Sequence, residues 1–316
     1  MAVEENKAAF RRYVEEVSNE GNLDLVDELF DRYVSHQPDG HTEQRDPEDV
    51  KRFVGEFREA FPDFHSTIED QIAEEHKVAT RWTMRGTHQG EFRGITPTGN
   101  RITVTGIGIF RFSEEGKVVE SWDNFDQLGM MQQLGVIPMP EQGGDAPPDV
   151  PSPHLPTTAP GEDAMEREQQ APSQVEEREQ KNKTLIRRYF EEIDATRDVS
   201  VLDEFLAPDV VDHSPSPGFT PDFEGMRQSF AHFLSATPDG YHDVADMIAE
   251  GDKVVTRVYA YGTQTGELFG IPPTGKLMTS TGIAIHRIVD GKIVEHWGEV
   301  DTLGVLRQLG VIAPPE

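Results

Sequence analysis

The sequence predicts an α+β protein built from two copies of one domain, each with three N-terminal helices packed on a curved antiparallel sheet. Two observations carry this. The chain repeats itself: NKAAFRRYVEE at 6–16 returns as NKTLIRRYFEE at 182–192, and 72–112 aligns without a gap to 248–288 with 22 of 41 positions identical. Within each copy the apolar spacing is helical first and alternates like strands afterwards.

The elements follow in order. Phe10, Tyr13, Val14 and Val17 form one helical stripe, matched by Ile186, Tyr189, Phe190 and Ile193. Leu25, Val26, Leu29 and Phe30 predict a second helix. Val50, Phe53, Val54 and Phe57 predict a third, matched in part by Met226, Phe230 and Phe233. After Pro62 the pattern turns to β, with strands expected over 67–73, 77–87, 101–112 and 118–125. Turn chemistry at Pro97-Thr98-Gly99 and Glu114-Glu115-Gly116 separates the later ones. The copies close alike, in DQLGMMQQLGVI and DTLGVLRQLGVI.

Between the copies, 138–160 holds eight prolines in 23 residues and cannot build a packed core. The charged stretch 161–180 is expected to turn helical as it meets the second copy. The domain plan is therefore 1–137, a Pro-rich acidic linker over 138–180, and 181–316. Two repeats of this length are too few and too long for a solenoid.

Composition narrows the function. Asp plus Glu number 58 against 29 Lys plus Arg, a formal charge of −29, which repels phosphate backbones and anionic membranes. Neither nucleic acid nor a membrane is expected as a partner. With only nine lysines, the balance resembles that of proteins from a salt-rich cytoplasm. Cysteine is absent, which excludes disulfides, thiolate nucleophiles and Cys-based zinc sites. There is no apolar run of spanning length and no basic-then-apolar start, so a cytoplasmic protein is expected. No Walker loop, dinucleotide glycine fingerprint or Ser nucleophile motif is visible.

The stretches IAEEHKVATRWTMRGTHQGEFRGITPTG and VVESWDNFDQLGMMQQLG, with IAEGDKVVTRVYAYGTQTGELFGIPPTG and IVEHWGEVDTLGVLRQLG in the second copy, resemble the SnoaL-like polyketide cyclase (ester cyclase) family of the NTF2-like superfamily. The resemblance implies two cone-shaped α+β barrel domains, each with a deep pocket between sheet and helices. It implies a small hydrophobic carbonyl ligand, no metal and no organic cofactor. The two sheets would pack together as an internal pseudo-dimer, with further assembly into a homo-oligomer left open.

The family's cyclases close a ring by intramolecular aldol condensation, with a pocket Asp as acid and base. The matching position here is Asp123, in Ser121-Trp122-Asp123-Asn124. On a strand Ser121, Asp123 and Phe125 share one face, Trp122 and Asn124 the other. A carboxylate against an apolar wall has a raised pKa, which suits it to take a proton from carbon. His36, in VSHQP, matches the family's pocket D-H-x-P element as a polarising donor, and His213 repeats it in VDHSP. The other expected substrate contacts are Trp122, Ser121, His88, Phe110, His286, His296 and Glu299. His88 is replaced by Gln264, while His286 aligns with Phe110 and His296 with Ser121. In the second copy Gly298 stands where the Asp is expected, and Glu299 falls one residue off, on the opposite strand face. The family's Asp works beside a His on a neighbouring strand; domain one keeps the Asp without that His, and domain two keeps His286 without the Asp.

Other readings stay open on the same scaffold. One is a non-catalytic small-molecule binding protein with two different pockets. Another is a hydrolase or isomerase. Limonene-epoxide-hydrolase-type enzymes use an Asp–Arg–Asp set, for which Arg81 would have to pair with Asp123.

Overall fold

A computed structural model describes residues 3–138 and 172–313, so all but the first residue of the extended course expected over 138–160, and the start of the stretch 161–180 expected to turn helical, lie outside the described residues. The first helix, α1 (Val3–Arg12), runs on as a wider π-helical stretch over Tyr13–Asn19. A single turn, α2 (Val26–Leu29), gives way to strand β1 (Phe30–His36), which pairs with the short β2 (Thr42–Arg45). Helix α3 (Pro47–Ala60) follows, capped by Asp46 in a capping box with Asp49 and opened by Pro47 at its first position. Strands β3 (His65–Glu74), β4 (Lys77–Thr87), β5 (Arg101–Phe112) and β6 (Val118–Phe125) then meander, and α4 (Gln127–Gln133) closes the domain.

Domain two repeats the order. Its first helix, α5 (Pro172–Thr196), begins inside the stretch assigned to the linker, extending the helix expected before the second copy. Then come α6 (Leu202–Phe205), β7 (Leu206–Asp212), α7 (Phe223–Ala236), β8 (Tyr241–Glu250), β9 (Lys253–Thr263), β10 (Leu277–Val289), β11 (Lys292–Val300) and α8 (Thr302–Leu309). The counterpart of β2 is missing; 213–222 is a run of bends and one turn.

Each domain is α+β, as expected, with one departure. The sheets run β2-β1-β6-β5-β4-β3 and β7-β11-β10-β9-β8, and the β1–β6 and β7–β11 pairs are parallel. The spacing Leu25–Phe30 read as helix, but only one turn forms. From Phe30 onward the alternating FDRYVSH is recruited by the free edge of β6, a tertiary pairing that local periodicity cannot show.

The helices cover the inner face of each sheet; in domain one Phe10, Val14, Val17, Val50 and Val54 pack there against Phe110 and Phe112. The outer faces of the two sheets pack on each other. Ile72, Ala79, Ile107, Ile109 and Trp122 of domain one form one cluster with Ile248, Val255, Ile283, Ile285 and Trp297 of domain two. Burying a large apolar side chain this way contributes about 1.5–3 kcal/mol. Crossed ion pairs frame the seam: Lys7–Glu250 at 2.6 Å is mirrored by Lys183–Glu74, and Lys77–Asp246 at 2.6 Å by Lys253–Asp70 at 2.7 Å. No helix among the described residues is long and apolar enough to cross a membrane.

Candidate active site

The inner face of domain one encloses a cavity of about 270 Å³, near the lower end of the usual range for small-molecule sites. Its walls are largely aromatic and aliphatic, with Phe10, Val54, Phe57, Trp82 and Phe110 among them. Ser121, Asp123 and Phe125 enter from one face of β6, as strand alternation requires, and Ser35 and Tyr33 enter from β1.

Asp123 is the acid of this cavity. No hydrogen bond to its carboxylate occurs among the described residues. Burial pushes its carboxyl up to about 7, against a smaller opposing pull from Arg45. The carboxylate fits because Gly108 lies opposite it in the ladder: a Cβ on Gly108 would collide with Asp123 Oδ1 and the Phe110 ring. Three further polar groups face the same space. Tyr33 hydrogen-bonds to Arg45, which Glu43 grips at 2.9 Å, and Tyr13 hydrogen-bonds to Ser18. Burial raises both phenols, so each is a neutral O–H donor. Sequence reasoning missed these groups: Tyr13 sat in a core stripe, Tyr33 in the unread β1, and Arg45 in the unread β2.

The expected histidine partner lies elsewhere. Odd-numbered residues of β1 face the cavity, so His36 points outward. Its Nε2 is 2.9 Å from Glu120, its Nδ1 3.2 Å from Thr42, and its ring stacks on Trp122 at 4.9 Å. Trp122 is likewise part of the seam between the sheets, under the Arg257 guanidinium at 4.9 Å. Domain two mirrors this: His213 binds Glu295 at 2.8 Å and stacks on Trp297 at 4.4 Å, beneath Arg81 at 5.3 Å. His36, Trp122 and His213 therefore belong to the interface between the sheets, which explains their recurrence. Arg81 faces away from Asp123, so the Asp–Arg pairing of the hydrolase reading does not form.

His88 is fully buried, with Nδ1 3.1 Å from Thr98 Oγ1 and its ring on Phe61; it organises the Pro-Thr-Gly turn, a task Gln264 performs on Thr274 in domain two. Ser121 and Phe110 do line the cavity. Glu299 points to the seam, as strand alternation required, where it meets Thr105 and Arg81. His286 and His296 sit together on the inner face of domain two, with ring centroids 5.2 Å apart. Among the described residues no group of three or more His, Cys, Asp or Glu could hold a metal ion.

Known proteins resemble this chain over about one domain's length. The aklanonic acid methyl ester cyclase of Streptomyces sp. (strain C5) is 32% identical over 134 residues, 40% of this chain and 80% of its own length. That of Streptomyces peucetius is 29% identical over 134 residues, covering 40% of this chain and 88% of the relative. Among solved structures, TsrD from Streptomyces laurentii is 32% identical, covers 42% of this chain and 96% of its own, and superposes with a TM-score of 0.39. The SnoaL-like polyketide cyclase model matches twice, at 8–134 and 184–309, and so takes in most of the sequence. This chain belongs to the SnoaL-like polyketide cyclase family, with one family domain in each half.

Proposed function

We propose that domain one closes a ring by intramolecular aldol condensation in a small apolar carbonyl compound, with Asp123 as acid and base and with no cofactor. The observation that carries the reading is the carboxyl of Asp123, unpartnered in an apolar cavity and pushed up to about 7. A base of that strength is matched to neutral pH, where it is partly ionised and still able to return its proton. The relatives' names, cyclases of aklanonic acid methyl ester, support a substrate bearing an ester and an activated C–H.

In this mechanism Asp123 takes the proton from the carbon α to a carbonyl. The enolate oxygen lies against the Tyr33 hydroxyl, itself polarised by Arg45, or the Tyr13 hydroxyl. The carbanion adds to a second carbonyl of the same molecule, and the new alkoxide recovers the proton from Asp123. The apolar walls fold the substrate and keep out water that would quench the enolate. The domain pair works as an internal pseudo-dimer in the cytoplasm.

Asp123→Asn keeps the shape and removes the base. Ring closure of an activated keto ester is expected to fall by about 10²–10⁴-fold, while ligand affinity, held mainly by apolar contact, survives. Unchanged turnover in Asp123→Asn would sink the aldol reading and leave the cavity as a binding site for apolar carbonyl compounds.

A further inference from the structure

Domain two has lost the acid that domain one uses, yet its inner face carries a new polar row. Asp212 on β7, His296 on β11 and His286 on β10 are direct neighbours across three adjacent strands. Their counterparts in domain one, Ser35, Ser121 and Phe110, hold the same register. Asp212 Oδ1 lies 2.9 Å from His296 Nδ1. A carboxylate on Nδ1 fixes the tautomer with the proton there and leaves the Nε2 lone pair free as a base.

Gly298 makes this arrangement fit. A Cβ at 298 would stand 2.9 Å from His296 Cε1 and 3.2 Å from Nε2, so the imidazole fills the space over the residue where domain one keeps its Asp. The loss of the acid and the gain of the imidazole are thus one structural exchange. Opposite Gly298 in the ladder stands Ala284, where domain one needs Gly108 to seat a carboxylate. His286 is 2% exposed and hydrogen-bonded to the Val254 backbone, and its Nδ1 has no partner. A buried ring nitrogen without a partner is costly, and the O–H of an enol is the kind of donor it lacks. His296 keeps 21% of its side chain exposed, so the dyad is not sealed from solvent.

We propose that domain two is a second acid–base site, in which His296, oriented by Asp212, moves the α-proton of a compact β-dicarbonyl compound. His296 Nε2 takes the proton, the C–H electron pair passes into the enolate, and its negative charge rests on the carbonyl oxygen. Asp212 holds the resulting imidazolium. Return of that proton to carbon, or to the alkoxide formed when the enolate adds to another carbonyl, restores the neutral ring, with no change of oxidation state. In the enol tautomer of the substrate, the O–H donates to His286 Nδ1. His296 and Asp212 occupy space that Ser121 and Ser35 leave open in domain one, hence a small substrate. This assignment does not depend on the role given to Asp123.

The test is α-proton exchange of ethyl 2-methylacetoacetate in D₂O, followed by NMR with the full chain. In Asp123→Asn, exchange should stay above the buffer rate. Adding His296→Gln should lower the remainder at least tenfold. Adding Asp212→Asn instead should lower it too, because the imidazolium loses its carboxylate. Gly298→Ala keeps both dyad residues and crowds Nε2, so with an unchanged melting temperature it too should suppress exchange. Exchange at the buffer rate in Asp123→Asn, or indifference to both His296→Gln and Gly298→Ala, overturns the proposal. Equal exchange in wild type and Asp123→Asn, with loss on His296→Gln, would instead refute the domain-one assignment and sustain this one.

Discussion

The two halves share their outer faces almost residue for residue and differ on their inner ones. Outside, Arg81 and Arg257, Trp122 and Trp297, and His36 and His213 recur, as do the lysines and acids of the crossed ion pairs. Inside, Ser35, Phe110, Ser121 and Asp123 are replaced by Asp212, His286, His296 and Gly298. The reason is physical. The arginine–tryptophan stacks and the crossed ion pairs join a residue of one copy to a residue of the other, so a change in either half damages a contact the other also needs. An inner face has no partner, and each pocket is free to acquire its own chemistry.

The sharpest break of this comparison is at the glycine that seats the acid. Gly108→Ala installs in domain one the residue domain two carries at 284, and its Cβ must displace the Asp123 carboxylate. Ring closure in domain one should fall about 10²-fold, the cost of misplacing a reacting group by about an ångström. Ala284→Gly should leave that activity unchanged. Equal activity of Gly108→Ala and wild type, measured as kcat on one keto ester, would show that the carboxylate is not held where the mechanism needs it.

At the seam the expectation reverses, because the halves are equivalent there. Trp122→Ala and Trp297→Ala each remove a ring stacked between a histidine and the other domain's arginine. Each should destabilise the chain by about 3–5 kcal/mol, and by similar amounts. Denaturant melts checking both variants would count against the shared docking role if one loss were near zero.

Much of this plan was legible in the sequence. The duplication, the four long strands and the facing of Ser121, Asp123 and Phe125 follow from repeat and period-two alternation. What stayed hidden depended on long-range pairing. Strand β1 resembles a helix end until β6 recruits it, and with it went Tyr33, the register that turns His36 outward, and the Asp212–His296 pair. Recurrence of a histidine in both copies read as a sign of chemistry, although a duplicated interface conserves its residues between copies just as firmly. Asp212 carried a signal that could have been used: it is the one acid inserted where VSHQP becomes VDHSP, opposite a strand that gained a histidine.

One position on the seam breaks the equivalence. Asn124 donates to the Thr281 carbonyl and hydroxyl at 3.1 Å each, whereas its counterpart Glu299 meets Thr105. Burial pushes the Glu299 carboxyl up to about 8, helped by Asp126 and opposed by its bond to Thr105 and by Arg81. The folded chain therefore holds this proton at pH values where the unfolded chain, with an ordinary glutamate, has released it. Stability must fall as pH rises from the ordinary glutamate range through about 8, since the folded state binds more protons across that window. Glu299→Gln places a neutral amide there, as Asn124 already does in the other half, and removes that loss. The variant should match wild type near pH 4 and exceed it at pH 9 by about 1–2 kcal/mol, less than the full linkage value because the group is only partly shielded from water. Ring closure in domain one should be unaffected, because Glu299 lies on the far side of the sheet from the cavity. Parallel stability curves for the two proteins between pH 4 and 9 would mean that Glu299 is ionised in the folded chain, paired with Arg81, and that one half of the seam carries a charge the neutral Asn124 does not match in the other.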